Sequence, residues 1–324
     1  AVDAVMTGEV DNAFAFVRPP GHHASAGTSA GFCIFNNVAI GAMHAIRKHG
    51  LQKVLIVDWD LHHGNGTQNI FYSDRRVLYF STHQYPHYPG TGGMRETGEG
   101  DGRGYTVNVP LRQGAVNGTF VSALRKILTP IALAYQPELV LVSAGFDTYY
   151  QDPLGGMRVT PEGFAALARI LLNIADACSA GRLVAVLEGG YSVETALPYI
   201  NMGLIMAMAG MDYSSLREPD FNPVRFQESS GNLEYIKQMV DRQLNAFRHR
   251  EEVINANRKK GDDFFKSQRS IFYDTEYISE DQRISLRNCN KCGGFRIIDS
   301  SAQHHDGKYY TAYCISVPFW ACDG

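Results

Sequence analysis

Short apolar runs alternate with amphipathic segments over the first two thirds of the chain. Apolar runs rich in β-branched residues are typical of strands buried on both faces of a parallel sheet. They predict strands at 53–58, 77–81, 105–109, 139–143 and 183–187. Helical spacing predicts helices at 37–49, from 117 onward and at 160–180. Strands alternating with helices predict an α/β fold with a mainly parallel central sheet and helices on both faces.

Polar residues follow four of the predicted strands where each strand ends. They lie in the segments 58–64, 81–83, 144–147 and 188–191. In parallel α/β sheets, ligands bind beyond the carboxyl ends of the strands. The pattern therefore predicts a functional site at that edge of the sheet.

Composition argues against several classes of protein. The 324 residues carry 30 Lys and Arg against 33 Asp and Glu, a formal net charge of −3. General binders of nucleic acid or of membrane surfaces usually carry a basic excess, so neither partner is predicted. The longest apolar run, 197–211, contains Pro198, Asn201 and two glycines, and we expect no membrane-spanning helix there.

Charge density divides the chain into three predicted regions. Thirty of the first 211 residues are charged, against 27 of the next 77. We predict a catalytic α/β domain at 1–210, a charged helical segment at 211–288 and a cysteine-bearing tail at 289–324. Four of the six cysteines lie in the last 36 residues. Such clustering indicates metal or redox chemistry in a reducing compartment, and a cytoplasmic location is predicted.

Three residues at the predicted strand ends are candidate metal ligands. Asp60 and His62 are separated by one residue, and Asp147 follows another strand. Two carboxylates and one imidazole can bind a divalent ion and leave a position open for water, as catalytic sites do. His22 and His23 follow a rigid Pro-Pro-Gly turn and are a candidate acid/base pair. Either motif alone occurs often by chance.

Seven motifs in order resemble the zinc-dependent histone deacetylase family, its class II branch more than class I. The resemblance covers roughly residues 12–210 and implies the arginase/deacetylase-like fold. The motifs are Arg18-Pro-Pro-Gly-His-His-Ala24, Gly31-Phe-Cys33, Asp58-Trp-Asp-Leu-His-His-Gly-Asn-Gly66, Tyr88-Pro-Gly-Thr-Gly92, Ser143-Ala-Gly-Phe-Asp147, Asp152-Pro-Leu-Gly-Gly156 and Glu188-Gly-Gly-Tyr191.

The resemblance implies a role for each catalytic position. Asp60, His62 and Asp147 match the zinc ligands. His23 matches the general base that later acts as general acid, and His22 matches its partner.

Three further positions match supporting roles at the same centre. Asp58 and Asn65 match the residues behind the two histidines, and Asn65 is the residue typical of class II. Tyr191 matches the hydroxyl that donates to the transition state.

The resemblance also implies a substrate tunnel and a second ion. Phe32 and Tyr88 match the tunnel's aromatic walls, and the carbonyl of Gly31 matches an acceptor for the substrate amide. Leu154 stands where polyamine-deacetylating relatives carry an acidic residue, which favours acyl-lysine. A structural K⁺ or Na⁺ site is matched by Asp58, Ser81 and Thr82, shared with Asp60 and His62.

Both ends of the chain depart from the family pattern. Only 21 residues precede His22, whereas family members place further elements there, and we expect the N-terminal part to be incomplete. Cys289-Asn-Lys-Cys292 resembles one half of a zinc ribbon, and Cys322 could open the other half as the chain ends. A second, structural zinc is therefore one hypothesis. Cys314 as a ligand, or unpaired thiols in a β-hairpin, are the alternatives.

The sequence predicts an enzyme, a zinc-dependent amidohydrolase acting on acyl-lysine proteins or peptides. Deacetylation of a small acetylated amine or polyamine is the second reading. A non-catalytic scaffold that binds acyl-lysine is the third, and the complete set that includes Tyr191 argues against it. The physiological substrate, the acyl chain length and the oligomeric state are not predicted.

Overall fold

A six-stranded parallel sheet forms the centre of the molecule. The computed structural model describes residues 1–194, 196–219, 221–222, 226–258, 264–273, 277–287, 289 and 294–317. The strand order is β1-β6-β5-β2-β3-β4, and every neighbouring pair is parallel. The strands are β1 Asn12–Ala15, β2 Val54–Asp58, β3 Val77–Gln84, β4 Thr106–Leu111, β5 Leu139–Ala144 and β6 Leu183–Leu187. The predicted α/β fold is confirmed.

Helices cover both faces of this sheet because its strands are apolar on both sides. Leu55 and Val57 of β2 face one hydrophobic cluster, and Val54 and Ile56 face the other. The helices are α1 Val2–Met6, α2 Asn37–His49, α3 Asn65–Phe71, α4 Asn117–Ala123, α5 Thr129–Tyr135, α6 Pro161–Cys178 and α7 Leu197–Met208. A π-helical segment, Leu124–Leu128, joins α4 to α5.

Capping residues mark the limits of two predicted helices. Gly50 ends α2 in the left-handed conformation with φ of 72°, where a side chain would be strained. Thr160 caps α6, and its hydroxyl accepts a hydrogen bond from the backbone N–H of Gly163 at 3.2 Å. Pro161 occupies the first turn of α6, where its missing N–H costs nothing.

The region after residue 210 is only partly helical. It contains α8 Ser230–Arg248, α9 Arg250–Arg258 and an antiparallel sheet of order β10-β9-β8-β7. These strands are β7 Phe264–Tyr273, β8 Ile278–Arg287, β9 Phe295–His304 and β10 Tyr309–Ser316.

The helical prediction was therefore wrong for β7 and β8, and in β8 the high charge content obscured a two-residue alternation. In β8, burial alternates from residue to residue as strand geometry requires. The boundary predicted at 288 falls inside this sheet because β8 pairs with β9. The other domain limits stay predictions.

Among the residues that the structure describes, none of the helices has the length and apolarity needed to cross a bilayer.

Candidate active site

A cavity of about 350 Å³ opens where the parallel strands end. Its lining contains residues from several of the segments in which the sequence predicts functional residues. These are Pro20, His22, His23, Gly31, Phe32, Asp60, His62, His87, Tyr88, Leu154, Gly189 and Tyr191. The parallel register explains the convergence, because β2, β3, β5 and β6 deliver their following loops to the same edge.

The three candidate metal ligands, which we call the metal group, meet at the base of this cavity. Asp60, His62 and Asp147 each offer one ligand atom, and these atoms lie within 4.8 Å of one another. Nδ1 of His62 lies 3.0 Å from Oδ2 of Asp147 and 3.3 Å from Oδ1 of Asp60. Both carboxylates are fully buried. Oxygen and imidazole donors at this spacing fit a divalent ion such as zinc.

The electrostatics of this group favour a bound cation. Burial raises the pKa of Asp147 to about 7, and the neighbouring charge of Asp60 adds to the rise. Burial by itself would lower the pKa of His62, but hydrogen bonds to Asp147 and Asp60 outweigh it and raise the pKa to about 10. Two buried carboxylates that repel one another and attract positive charge suit a divalent ion.

A glycine packs directly against the two carboxylates. A Cβ on Gly189 would lie 2.4 Å from Oδ2 of Asp147 and 2.7 Å from Oδ2 of Asp60. The backbone N–H of Gly189 also donates to Oδ2 of Asp60 at 2.9 Å. The absence of a side chain therefore lets the chain hold the ligand geometry by a backbone hydrogen bond.

The paired histidines lie beside the metal group with different partners. Their ring centroids are 4.2 Å apart. Nδ1 of His22 lies 3.0 Å from Oδ2 of Asp58, and Nδ1 of His23 lies 2.7 Å from Oδ1 of Asn65. Each ring therefore directs Nδ1 away from the cavity, which leaves Nε2 for chemistry.

The surroundings of the two rings shift their pKa values in opposite directions. Burial would lower the pKa of His22, but the carboxylates of Asp60 and Asp58 raise it well above its usual range. Burial and the charges of His22 and His62 hold the pKa of His23 well below its usual range. His22 thus carries the positive charge and His23 stays neutral, as a general base requires.

Aromatic rings form the walls of the cavity. Tyr88 lies edge-on to His23 with centroids 5.1 Å apart, and Phe32 lies edge-on to Tyr191 at 6.0 Å. Phe32 is 70% exposed, so it stands at the mouth. Leu154 is also exposed there, and its carbonyl lies 3.2 Å from Nε2 of His87.

Tyr191 is held in place by two residues whose roles the sequence did not indicate. Its backbone N–H donates to Oδ2 of Asp152 at 2.7 Å. The guanidinium of Arg18 lies 5.4 Å from the Tyr191 ring centroid and donates to the carbonyl of Gly190 at 2.6 Å. Burial, followed by the charges of Asp60 and Asp147, raises the pKa of the Tyr191 hydroxyl. The phenol therefore stays protonated and can donate a hydrogen bond.

Glu188 is a buried carboxylate that sequence reasoning did not assign. It accepts hydrogen bonds from the backbone N–H of Gly21 at 2.6 Å and of His22 at 3.1 Å. The hydroxyl of Ser143 donates to its other oxygen at 2.9 Å. Its place at the end of β6, as the first residue of the Glu188-Gly-Gly-Tyr191 motif, was the available signal. Glu188 ties the backbone of the histidine pair to the central sheet.

The residues matched to a monovalent cation are buried behind the metal group. Asp58 and Ser81 are register partners on β2 and β3, and Thr82 follows. All three are inaccessible to solvent. The sequence did not predict a further contact of Asp58. The hydroxyl of Tyr79 donates a hydrogen bond to Oδ2 of Asp58 at 2.9 Å.

The candidate ligands of a second zinc lie mostly outside the described residues. Cys292 and Cys322 are not among them, and Cys289 is partly buried. Cys314 lies on β10, exposed to solvent and opposite Ile298 of β9. The second zinc therefore stays a prediction.

A solved structure shares the fold over about three quarters of this chain. The structure titled "Crystal Structure of HDA15 HD domain" has a TM-score of 0.67 and 38% identity to this chain. The match covers 76% of this chain and 67% of that one.

Sequence comparison finds similar proteins that are named deacetylases. A protein of Archaeoglobus fulgidus named "Probable deacetylase" is 49% identical over 220 residues, which is 68% of this chain and 61% of that protein. The human "Polyamine deacetylase HDAC10" is 52% identical over 200 residues, 60% of this chain and 29% of that protein. The chain thus spans less than two thirds of either relative. The family model described as the histone deacetylase domain matches residues 1–204, and the chain therefore belongs to the histone deacetylase family.

Proposed function

We propose that the protein is a zinc-dependent amidohydrolase that removes acyl groups from lysine side chains. One observation carries the proposal. Asp60, His62 and Asp147 converge beside the His22–His23 pair at the base of a cavity walled by aromatic rings. A metal group next to a neutral imidazole is an arrangement that can hydrolyse an amide.

Asp60, His62 and Asp147 would hold the zinc. Their two carboxylates and one imidazole match its preferred donors. Bound zinc supplies Lewis-acid chemistry for an amide carbonyl. The remaining work falls to residues of the chain.

His23 is the proposed general base and general acid. With Nδ1 bonded to Asn65, its Nε2 would take a proton from the attacking water and return it to the leaving amine. Burial and the positive charge on His22, whose ring contacts Asp58, keep His23 neutral between turnovers. The neutral Asn65 behind His23 is the feature that links the chain to class II.

The tyrosine hydroxyl and the cavity walls would bind the substrate. Tyr191 would donate a hydrogen bond to the oxyanion that forms from the acyl carbonyl. Phe32 and Tyr88 would pack on the aliphatic stem of lysine, and the carbonyl of Gly31 would accept the substrate's amide N–H. The rings also suit an ammonium product.

A specific observation supports a second candidate function, the deacetylation of acetylated polyamines. The human relative that is 52% identical is named a polyamine deacetylase. Leu154 argues for acyl-lysine, because an apolar residue at the mouth does not attract a second ammonium group.

Turnover on two substrates tests the proposal and separates the alternatives. An acetyl-lysine peptide and an acetylated spermidine would be compared before and after chelation, with zinc added back. We expect faster turnover of the peptide, loss on chelation and recovery with zinc. Preference for the polyamine would replace the substrate assignment, and peptide binding without turnover of either would support the scaffold reading.

Three further assignments are proposals of the same kind. Asp58, Ser81 and Thr82, with Asp60 and His62, would hold K⁺ or Na⁺. Cys289, Cys292 and Cys322 would hold a second zinc, which metal analysis of the protein would count. Cysteine usage supports a cytoplasmic location.

A further inference from the structure

A second group of metal-ligating side chains lies outside the catalytic cavity. Nε2 of His44 and Nε2 of His49 lie 2.8 Å and 2.7 Å from the same carboxylate oxygen, Oδ1 of Asp3. The three ligand atoms lie within 4.8 Å of one another. We call Asp3, His44 and His49 the surface cluster.

Packing between two helices holds the surface cluster together. His44 and His49 lie on α2, and Asp3 lies on α1. Val5 of α1 is buried in the hydrophobic cluster that also contains Ala45 and Ile46 of α2. The ligand-bearing segments are therefore fixed by apolar contacts that do not depend on the hydrogen bonds between them.

The surface cluster lies at the opposite edge of the sheet from the catalytic cavity. α2 ends at His49, and β2 begins five residues later at Val54. The catalytic residues follow the other end of β2. An ion at the surface cluster would thus be separate from any ion held by Asp60, His62 and Asp147.

We propose that the surface cluster is a second divalent metal site that takes a borderline ion such as Zn²⁺. Two imidazole nitrogens and one carboxylate oxygen suit zinc better than magnesium or calcium, which prefer all-oxygen sites. The carboxyl end of α2 adds the negative end of the helix dipole. Because Asp3 and His44 are about half exposed, water can complete the coordination.

Lys48 is the natural competitor of the ion. Its Nζ lies 2.7 Å from Oδ2 of Asp3, the oxygen that the histidines leave free. Lys48 also opposes a cation by repulsion. Its removal should tighten binding, whereas a cluster that served only to pin α1 to α2 would gain nothing.

Zinc titration of the purified protein tests the site by difference. We would titrate Zn²⁺ into protein whose catalytic site is already filled, and compare wild type with the double variant His44→Ala/His49→Ala. Wild type should bind one more equivalent than the double variant, and Asp3→Asn should weaken that equivalent by at least the roughly tenfold that loss of a supporting residue costs. Lys48→Ala should strengthen it. Circular dichroism would show that each variant stays folded.

A matched control comes from the other end of the described chain. His304 and His305 are also neighbours, with ring centroids 4.2 Å apart, and they do not form a three-ligand group among the described residues. His304→Ala/His305→Ala should therefore leave the zinc count unchanged. Equal counts in wild type and in His44→Ala/His49→Ala would overturn the proposal, as would unchanged or weaker binding in Lys48→Ala.

Discussion

At the scale of single residues, the hydroxyl of Tyr191 is the most direct test of the proposed chemistry. Tyr191→Phe removes one hydrogen-bond donor and leaves the ring against Phe32 and Arg18. We expect turnover of an acetyl-lysine peptide to fall about 10²–10³-fold, because one oxyanion donor is lost. Zinc content should not change. Tyr277→Phe, at an exposed tyrosine directly before β8, is the control, and full activity of Tyr191→Phe would remove the role.

Leu154 offers a test of substrate choice at the same scale. Leu154→Glu places a carboxylate at the cavity mouth, where a second ammonium group of a polyamine would lie. One such exposed pair contributes on the order of 1 kcal/mol, or about fivefold in kcat/KM. We expect the ratio of acetylspermidine to acetyl-lysine turnover to rise by that factor. Leu154→Gln, which adds polarity without charge, should leave the ratio near that of wild type. An equal rise in both variants would rule out a charge effect.

The sequence identifies functional side chains that lie in a motif. It does not identify the residues far along the chain that contact them. His22, His23 and Asp60 stand in short local patterns, so their pairing could be anticipated. Glu188 bonds to the backbone N–H of Gly21, 167 residues away. A backbone donor leaves no signature in the sequence, and the role of Glu188 becomes visible only when β6 and the Gly21 turn are placed side by side.

At the scale of elements, the loop after β6 holds the metal group by close packing. Gly189→Ala would insert a Cβ within 2.4 Å of Oδ2 of Asp147 and 2.7 Å of Oδ2 of Asp60. The carboxylates must then shift, and we expect zinc affinity to fall roughly 10- to 100-fold, as when a supporting contact of a metal ligand is lost. Competition with a chelator measures this.

A second glycine provides the control for that substitution. Gly27 has nothing within 4 Å of an added Cβ, and Gly27→Ala should bind zinc as wild type does. If Gly189→Ala kept wild-type affinity, the carboxylates would not depend on this contact.

The five strands of the central sheet that are buried along their whole length could be predicted, whereas β1 and the strands of the C-terminal sheet could not. β2, β3, β4, β5 and β6 are buried throughout, so each appears as an apolar run. β1 has four residues, all only partly buried at the sheet edge, and gives no such run. In β8 the burial alternates and the sequence is rich in charge. A period of two is easily lost among charged residues, which is why helix was predicted there.

At the scale of the whole molecule, Glu188 links folding stability to pH. Its carboxylate is fully buried, and burial raises its pKa from the usual glutamate value of 4.5 to about 7. The folded state therefore holds this proton more tightly than the unfolded state does. This contribution to stability is complete below about pH 4.5 and is lost as pH rises through about 7, a change of roughly 3 kcal/mol.

Glu188→Gln isolates this contribution because glutamine can keep the contacts. Its amide oxygen can accept from Gly21 and His22, and its NH₂ group can donate to the hydroxyl of Ser143. Urea unfolding between pH 5 and 8, at equal metal content, would measure the free energy of unfolding of both proteins. We expect wild type to lose stability relative to the variant as pH rises. Parallel curves would mean that Glu188 is ionised in the folded protein, with its backbone donors and the charge of His22 outweighing burial.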